Sequence, residues 1–113
     1  MQRALDQAIP PDLPPAAAKS LTALGRAVWT ARVTGTGRQQ WPHYFTGPHP
    51  QATYGRVRIQ AAIARRDSSH PGTTNAAVVR LVWAGADPSG TYLDGRTATV
   101  RFTLEGDTWN PIR

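Results

Sequence analysis

The sequence predicts an α+β domain. In it, an N-terminal helix and a short helical or aromatic segment pack on one face of a curved antiparallel sheet of three to four strands. Two observations carry that expectation. Apolar and polar residues alternate through three segments of the second half, giving the sets Val57, Ile59, Ala61, Ile63, then Ala77, Val79, Leu81, Trp83, then Ala98, Val100, Phe102, Leu104. Successive side chains of a strand point to opposite faces, so each set makes one apolar side. Upstream, Leu21, Leu24, Val28 and Ala31 recur at spacings of three and four, the stripe of an amphipathic helix able to cover such a wall.

Taken in order, residues 1–15 read as a proline-rich arm and residues 16–113 as a single domain. Arg3 to Ile9 has the length for two helical turns, after which Pro10, Pro11, Pro14 and Pro15 force extended backbone. The main helix runs from about Ala16 to Val33. Pro15 suits its first turn, and Gly35 and Gly37 suit its end. Gln39–Phe45 reads as a short helix with Pro42 near its start, and Thr46–Pro50 as a turn. Strands follow at about Tyr54–Arg65, Ala76–Ala84 and Arg96–Glu105. The loop around Ser68–Thr74 contains Pro71 and Gly72, while Asp87-Pro88-Ser89-Gly90 and Asp94-Gly95 are turn signatures. Connections this short fit antiparallel neighbours. After Glu105-Gly106-Asp107, the segment Thr108–Ile112 adds a short last strand.

Composition excludes several chemistries. A chain of 113 residues buries roughly two-thirds of its unfolded surface, so it needs no staple. It has no cysteine, which rules out disulfides, thiol nucleophiles and cysteine-ligated metals. No apolar run approaches the ~20 residues of a membrane span, and Met1-Gln2-Arg3-Ala4 lacks a signal-peptide layout, so a soluble, cytoplasmic protein is expected. Thirteen Lys and Arg against seven Asp and Glu give a net charge of +6, and no carboxylate occurs between Asp12 and Asp67. That excess favours anionic partners.

The polar sides of the strands hold the binding candidates. Arg58, Arg80 and Arg101 share the face turned away from the apolar wall, together with Val78 and Val82. Guanidinium groups present a planar fork to carboxylates, and a mixed apolar and arginine surface suits a protein interface. A pocket is the second candidate, lined by Trp41, His43, Tyr44, Phe45 and Trp83. No acid lies on the inward strand positions, so no general base is assigned there, and a His43–Asp67 or His43–Asp94 pair is not demanded by spacing. His43, His49 and His70 lack the fixed spacing of metal ligands. No catalytic residue, metal or cofactor is expected.

The ending Ala98-Thr99-Val100-Arg101-Phe102-Thr103-Leu104-Glu105-Gly106-Asp107-Thr108-Trp109, behind a helix, resembles the nuclear transport factor 2-like superfamily. The resemblance covers residues 16–113 in layout. It implies a cone-shaped domain with helices before a bent antiparallel sheet, although members commonly have three helices. It also implies a choice among pocket isomerases or dehydratases, association modules, transport adaptors and accessory proteins of conjugation systems. The expectation is a non-catalytic association domain that binds itself as a homodimer, or binds an acidic protein, through the arginine face. A small-molecule pocket enzyme is the alternative, and nucleic-acid binding the second.

Overall fold

The computed structural model describes Gln2 and residues 12–35, 38–42, 44–45, 54–67 and 75–112. The main helix, α1, spans Pro15–Thr34. Pro14 is extended at its entrance (φ −56°, ψ 143°), and Pro15 occupies the first turn, where a missing N–H costs nothing. The helix stops at Gly35, which adopts φ 83° and donates its N–H to the Ala31 carbonyl at 2.9 Å. Leu21, Gly25, Val28, Ala31 and Val33 are its buried face. The short helix expected over Gln39–Phe45 is instead a single 3₁₀ turn, Arg38–Gln40, followed by a tight turn. In that turn the Tyr44 and Phe45 N–H groups both donate to the Trp41 carbonyl at 3.1 Å. Pro42 has no N–H with which to prolong a helical ladder.

Four strands follow: β1 (Gly55–Arg66), β2 (Ala76–Ala86), β3 (Tyr92–Glu105) and β4 (Thr108–Ile112). They form one sheet in sequence order, antiparallel at every step. Among the described residues the fold is therefore α+β, the long helix α1 against an open meander. The β2–β3 turn is built on Asp87, whose carboxylate accepts from the Ser89 and Thr91 N–H groups at 3.0 Å and from the Ser89 hydroxyl at 2.6 Å. Asp94-Gly95, expected to be a turn, lies inside β3. There two β3 residues oppose Ala84 alone, and Gly95 takes φ 66°, a bulge that only a residue tolerant of positive φ accommodates cheaply.

The core lies between α1 and one face of the sheet. Leu21 and Val28 meet Ala62 and Ala64 of β1, Ala77, Val79 and Leu81 of β2, and Val100 and Phe102 of β3, with Tyr44 closing one end. Helix and sheet approach most closely at Gly25, where an added Cβ would lie 2.5 Å from Val79 Cγ1. Glycine at this point is a packing requirement.

Strand β1 departs from the expected alternation. Ile59 opposes Trp83 and Ala61 opposes the next residue, Val82, so Gln60 is an extra residue in the ladder. A one-residue bulge reverses every side chain beyond it. Ile59, Ala62 and Ala64 consequently face α1, whereas Ala61 and Ile63, expected on that wall, point the other way. Residues 61–64 are apolar at every position, so periodicity could not fix their parity. Both turned residues are nevertheless buried, at 0% and 2% exposure. A further register shift lies between Gly55 and Arg58, and the Gln60 carboxamide reaches across β2 to accept the Gly95 N–H at 3.1 Å, tying the second irregularity of β1 to the bulge of β3.

The outer edge of β1 is held from the N-terminal residues. The Gln2 carboxamide makes both hydrogen bonds of a strand partner with Ala62, donating to its carbonyl and accepting from its N–H at 2.8 Å. Asp12 accepts the Arg66 N–H with its carboxylate and the Arg66 Nε–H with its carbonyl, both at 2.9 Å. These groups occupy backbone positions that an edge strand otherwise offers to other chains. The helix expected at Arg3–Ile9, the extended Pro10-Pro11, the turn at 46–50 and the loop at 68–74 lie outside the described residues.

Replacing Gly25 by Ala is expected to destabilise the fold by about 1–3 kcal/mol through overpacking against Val79. In urea titrations the Gly25→Ala/Val79→Ala pair should cost less than the sum of the two single changes. Hydrogen bonds from Ser89 and Thr91 hold the Asp87 carboxyl below its ordinary pKa of 3.8. A depressed folded pKa means that Asp87 contributes fully above about pH 4 and loses its contribution as pH falls through the folded value. The melting-temperature gap between the wild type and Asp87→Ala should therefore be widest near neutrality and close in acid.

Candidate functional site

The face of the sheet away from α1 is assembled by the register. Directly opposed residues share a face, so Arg58 lies with Ala84, Ile63 with Arg80 and Thr99, and Arg65 with Val78 and Arg101. Val78 is thus flanked on both sides by arginines. Arg80 and Arg101 are diagonal neighbours, with backbones roughly 7–8 Å apart. Arg58, Arg80 and Arg101 are exposed, and Val78 and Val82 are half-buried beside them. The three arginines do not form a straight ladder. Arg58 opposes Ala84, four residues from Arg80 and roughly 13 Å along the strand. Arg65, which the bulge at Gln60 turns onto this face, stands closer, with its Nη1 donating to the Ala64 carbonyl at 2.6 Å.

Charge on this face is one-sided. Across Arg58–Arg65, Ala76–Ala84 and Thr97–Thr103 there are four outward arginines and no carboxylate. The nearest acids along β3 are Asp94 at the bulge and Glu105 at the hairpin turn, one at each end. Threonines 97, 99 and 103 fill the intervening positions with small hydroxyl side chains. The open part of the face is accordingly β2 and β3, because Ala61 and Ile63 of β1 are buried.

The residues expected to line a pocket are divided between two places. Trp83 belongs to an aromatic stack under the C-terminal half of α1. Its ring meets Trp29 at 5.6 Å and Tyr54 at 5.1 Å, both edge to face. Arg96 lies over Tyr54 and Trp83, at 5.1 and 5.4 Å from the ring centroids. The stack is closed at its base by the Tyr54 N–H, which donates to the Val33 carbonyl at 2.7 Å. Trp29 Nε1, Trp83 Nε1 and Arg96 Nε are buried here without an acceptor, among ring faces that accept N–H groups only weakly. Sequence reading missed this cluster. Its signal was Arg96, an arginine in phase with the inward Ala98 and Val100, which needs aromatic faces or a carboxylate to sit there.

Trp41, Tyr44 and Phe45 form a second group, with Tyr44 edge-on to Phe45 at 4.8 Å and Trp41 at 6.4 Å from Phe45. Trp41 and Tyr44 border a hollow of about 400 Å³ against the β3–β4 hairpin, with Gln40, Glu105, Asn110 and Ile112 among its other walls. His43 lies outside the described residues, as do His49 and His70. Asp67 is buried at the end of β1, and Asp94 is exposed at the β3 bulge. Among the described residues no three His, Asp or Glu side chains gather as a metal site, and no helix is long and apolar enough to cross a membrane. Comparison of the chain with protein-family models, curated proteins and solved structures finds no match.

Proposed function

We propose that the chain is a non-catalytic association domain that binds an acidic protein surface through the β2–β3 part of its outer face. Arg80 and Arg101 are the anchoring cations, Val78 and Val82 supply apolar contact, and Arg58 stands at the periphery. The observation that carries this reading is the concentration of outward arginines around half-buried valines with no carboxylate among them. Fork-shaped donors beside a small apolar strip recognise carboxylates and then exclude water from them.

The same observation favours an acidic partner over a second copy. An isologous pairing brings the same patch against itself, and here that sets arginine against arginine with no acid at the centre. The order of one helix before an open antiparallel sheet supports the further proposal of a nuclear transport factor 2-like domain, a superfamily that includes association modules and adaptors.

The test uses an immobilised oligoglutamate peptide and a random-sequence DNA duplex at matched ionic strength. The peptide should bind, its affinity should fall as salt is added, and Arg80→Ala/Arg101→Ala should weaken it about tenfold while the circular dichroism spectrum is unchanged. Tighter capture of DNA than of the peptide would contradict the reading in favour of nucleic acid. A sedimenting dimer abolished by the same substitutions would contradict it in favour of self-association.

A further inference from the structure

We infer that the open edge of β3 at Thr97–Thr99 takes up an extended acidic segment of a partner protein as a further antiparallel strand. The inference rests on the association reading and gives it a binding mode. It starts from the unequal treatment of the sheet's edges. Along β1, Gln2 and Asp12 occupy backbone positions at Ala62 and Arg66. Along β4, a strand of only five residues, Pro111 does the same work by lacking a donor.

The direction of each backbone group follows from one hydrogen bond. Leu104 donates its N–H to the Asn75 carbonyl at 2.8 Å, on the β2 side. Alternate residues of a strand bond to opposite neighbours, so Phe102, Val100 and Ala98 turn their backbone groups toward β2. Arg101, Thr103 and Glu105 turn theirs toward β4, where Ile112, Asn110 and Thr108 oppose them. Pro111 opposes Phe102, which aims its missing donor at the outer edge of β4. That strand ends opposite Arg101, and Thr99 and Thr97 continue the same phase beyond it. Their N–H and C=O groups point away from β2, and among the described residues no hydrogen bond engages them there. Both threonines are exposed. Such a row is a template for strand addition.

Charge and burial then define the occupant. A residue added opposite Thr99 has its side chain on the outer face of the sheet. There Arg101 is its diagonal neighbour at roughly 7–8 Å, and Arg80 opposes Thr99 from the other side. A carboxylate in this position meets two guanidinium forks with no acid among the surrounding outward positions. The next side chain of the added strand falls on the α1 side, beside the half-buried Ala98 at the margin of the core. An apolar residue suits that place, so the segment alternates acidic and apolar residues. A second copy would bring its own Arg96 and Arg101 to this edge, and like charges on adjacent strands repel. Antiparallel addition matches the pairing of β3 with both of its neighbours and lets one residue exchange both hydrogen bonds with Thr97 or Thr99.

The experiment titrates the full chain with a capped peptide of alternating glutamate and valine, read by calorimetry. In the inferred pairing the glutamate N–H groups face β3 and the valine N–H groups face solvent. Methylating the glutamate backbone nitrogens should therefore weaken binding about tenfold, and methylating the valine nitrogens should change it less than about twofold. Thr99→Pro removes an outward donor and no bond to β2, and it should also weaken the peptide about tenfold. The methylated peptides need no change to the protein, so the inference stays falsifiable if that variant fails to fold. Equal effects of the two methylations would overturn strand addition, and binding of the unmethylated peptide would then leave the association reading standing. Failure of this peptide and of oligoglutamate to bind would overturn both. A sedimenting dimer that Thr99→Pro dissociates would overturn the inference in favour of a second copy.

Discussion

The seat of α1 on the sheet is the constraint from which the rest follows. Gly25 lets the helix backbone settle onto Val79, at a distance that forbids even a methyl group. That contact sits at the middle of the wall made by Ala77, Val79, Leu81, Val100 and Phe102, all buried in the same cluster as Leu21 and Val28. Burying a side chain of this size is worth ~1.5–3 kcal/mol, and a chain without disulfides has few other sources of stability on that scale. Once one face of β2 and β3 is committed to the helix, the identity of the other face is no longer free. Arg80, Arg101, Val78 and Val82 are outward because Val79, Leu81 and Val100 are inward.

The bulges then decide what joins them. Without the extra residue at Gln60, the Ile63 side chain would compete for space beneath α1 and Arg65 would be driven toward the core. With it, two alanines, Ala62 and Ala64, face the helix, and their small size allows close packing along β1. The Gln60–Gly95 hydrogen bond couples this reversal to the bulge of β3, so the two irregularities behave as one device spanning β2. The edge that results is not left open. Gln2 and Asp12 satisfy backbone groups of Ala62 and Arg66, in the manner by which natural sheets avoid edge-to-edge pairing.

Much of this was legible in the residues. The helix expected from Ala16 to Val33 is Pro15–Thr34, because proline and glycine mark its two ends unambiguously. The inward sets of β2 and β3 are as read, since a polar residue separates most of their apolar positions. Strand β1 was half legible. Its first part alternates, but Ala61-Ala62-Ile63-Ala64 carries no polar residue to report a slip, so only the pairing partners reveal the change of face. Asp94-Gly95 misled for a related reason, because the residues that favour a turn also favour a bulge. The arginine face was legible on β2 and β3 and incomplete on β1, where Arg65 was hidden by the slip. The aromatic stack and the hairpin cleft were not legible, as they join residues of α1, the 38–45 segment and distant strands that no local period connects.

The reversal of β1 at Gln60 is the claim most open to direct measurement, because it sets both the helix-facing wall and the arginine face. Methyl-labelled protein in solution gives nuclear Overhauser contacts between side chains that touch. The Ala62 and Ala64 methyls should show contacts to the apolar side chains of α1, and the Ile63 methyls should show none. Contacts from Ile63 and Ala61 to Leu21 or Val28, with Ala62 silent, would contradict the account.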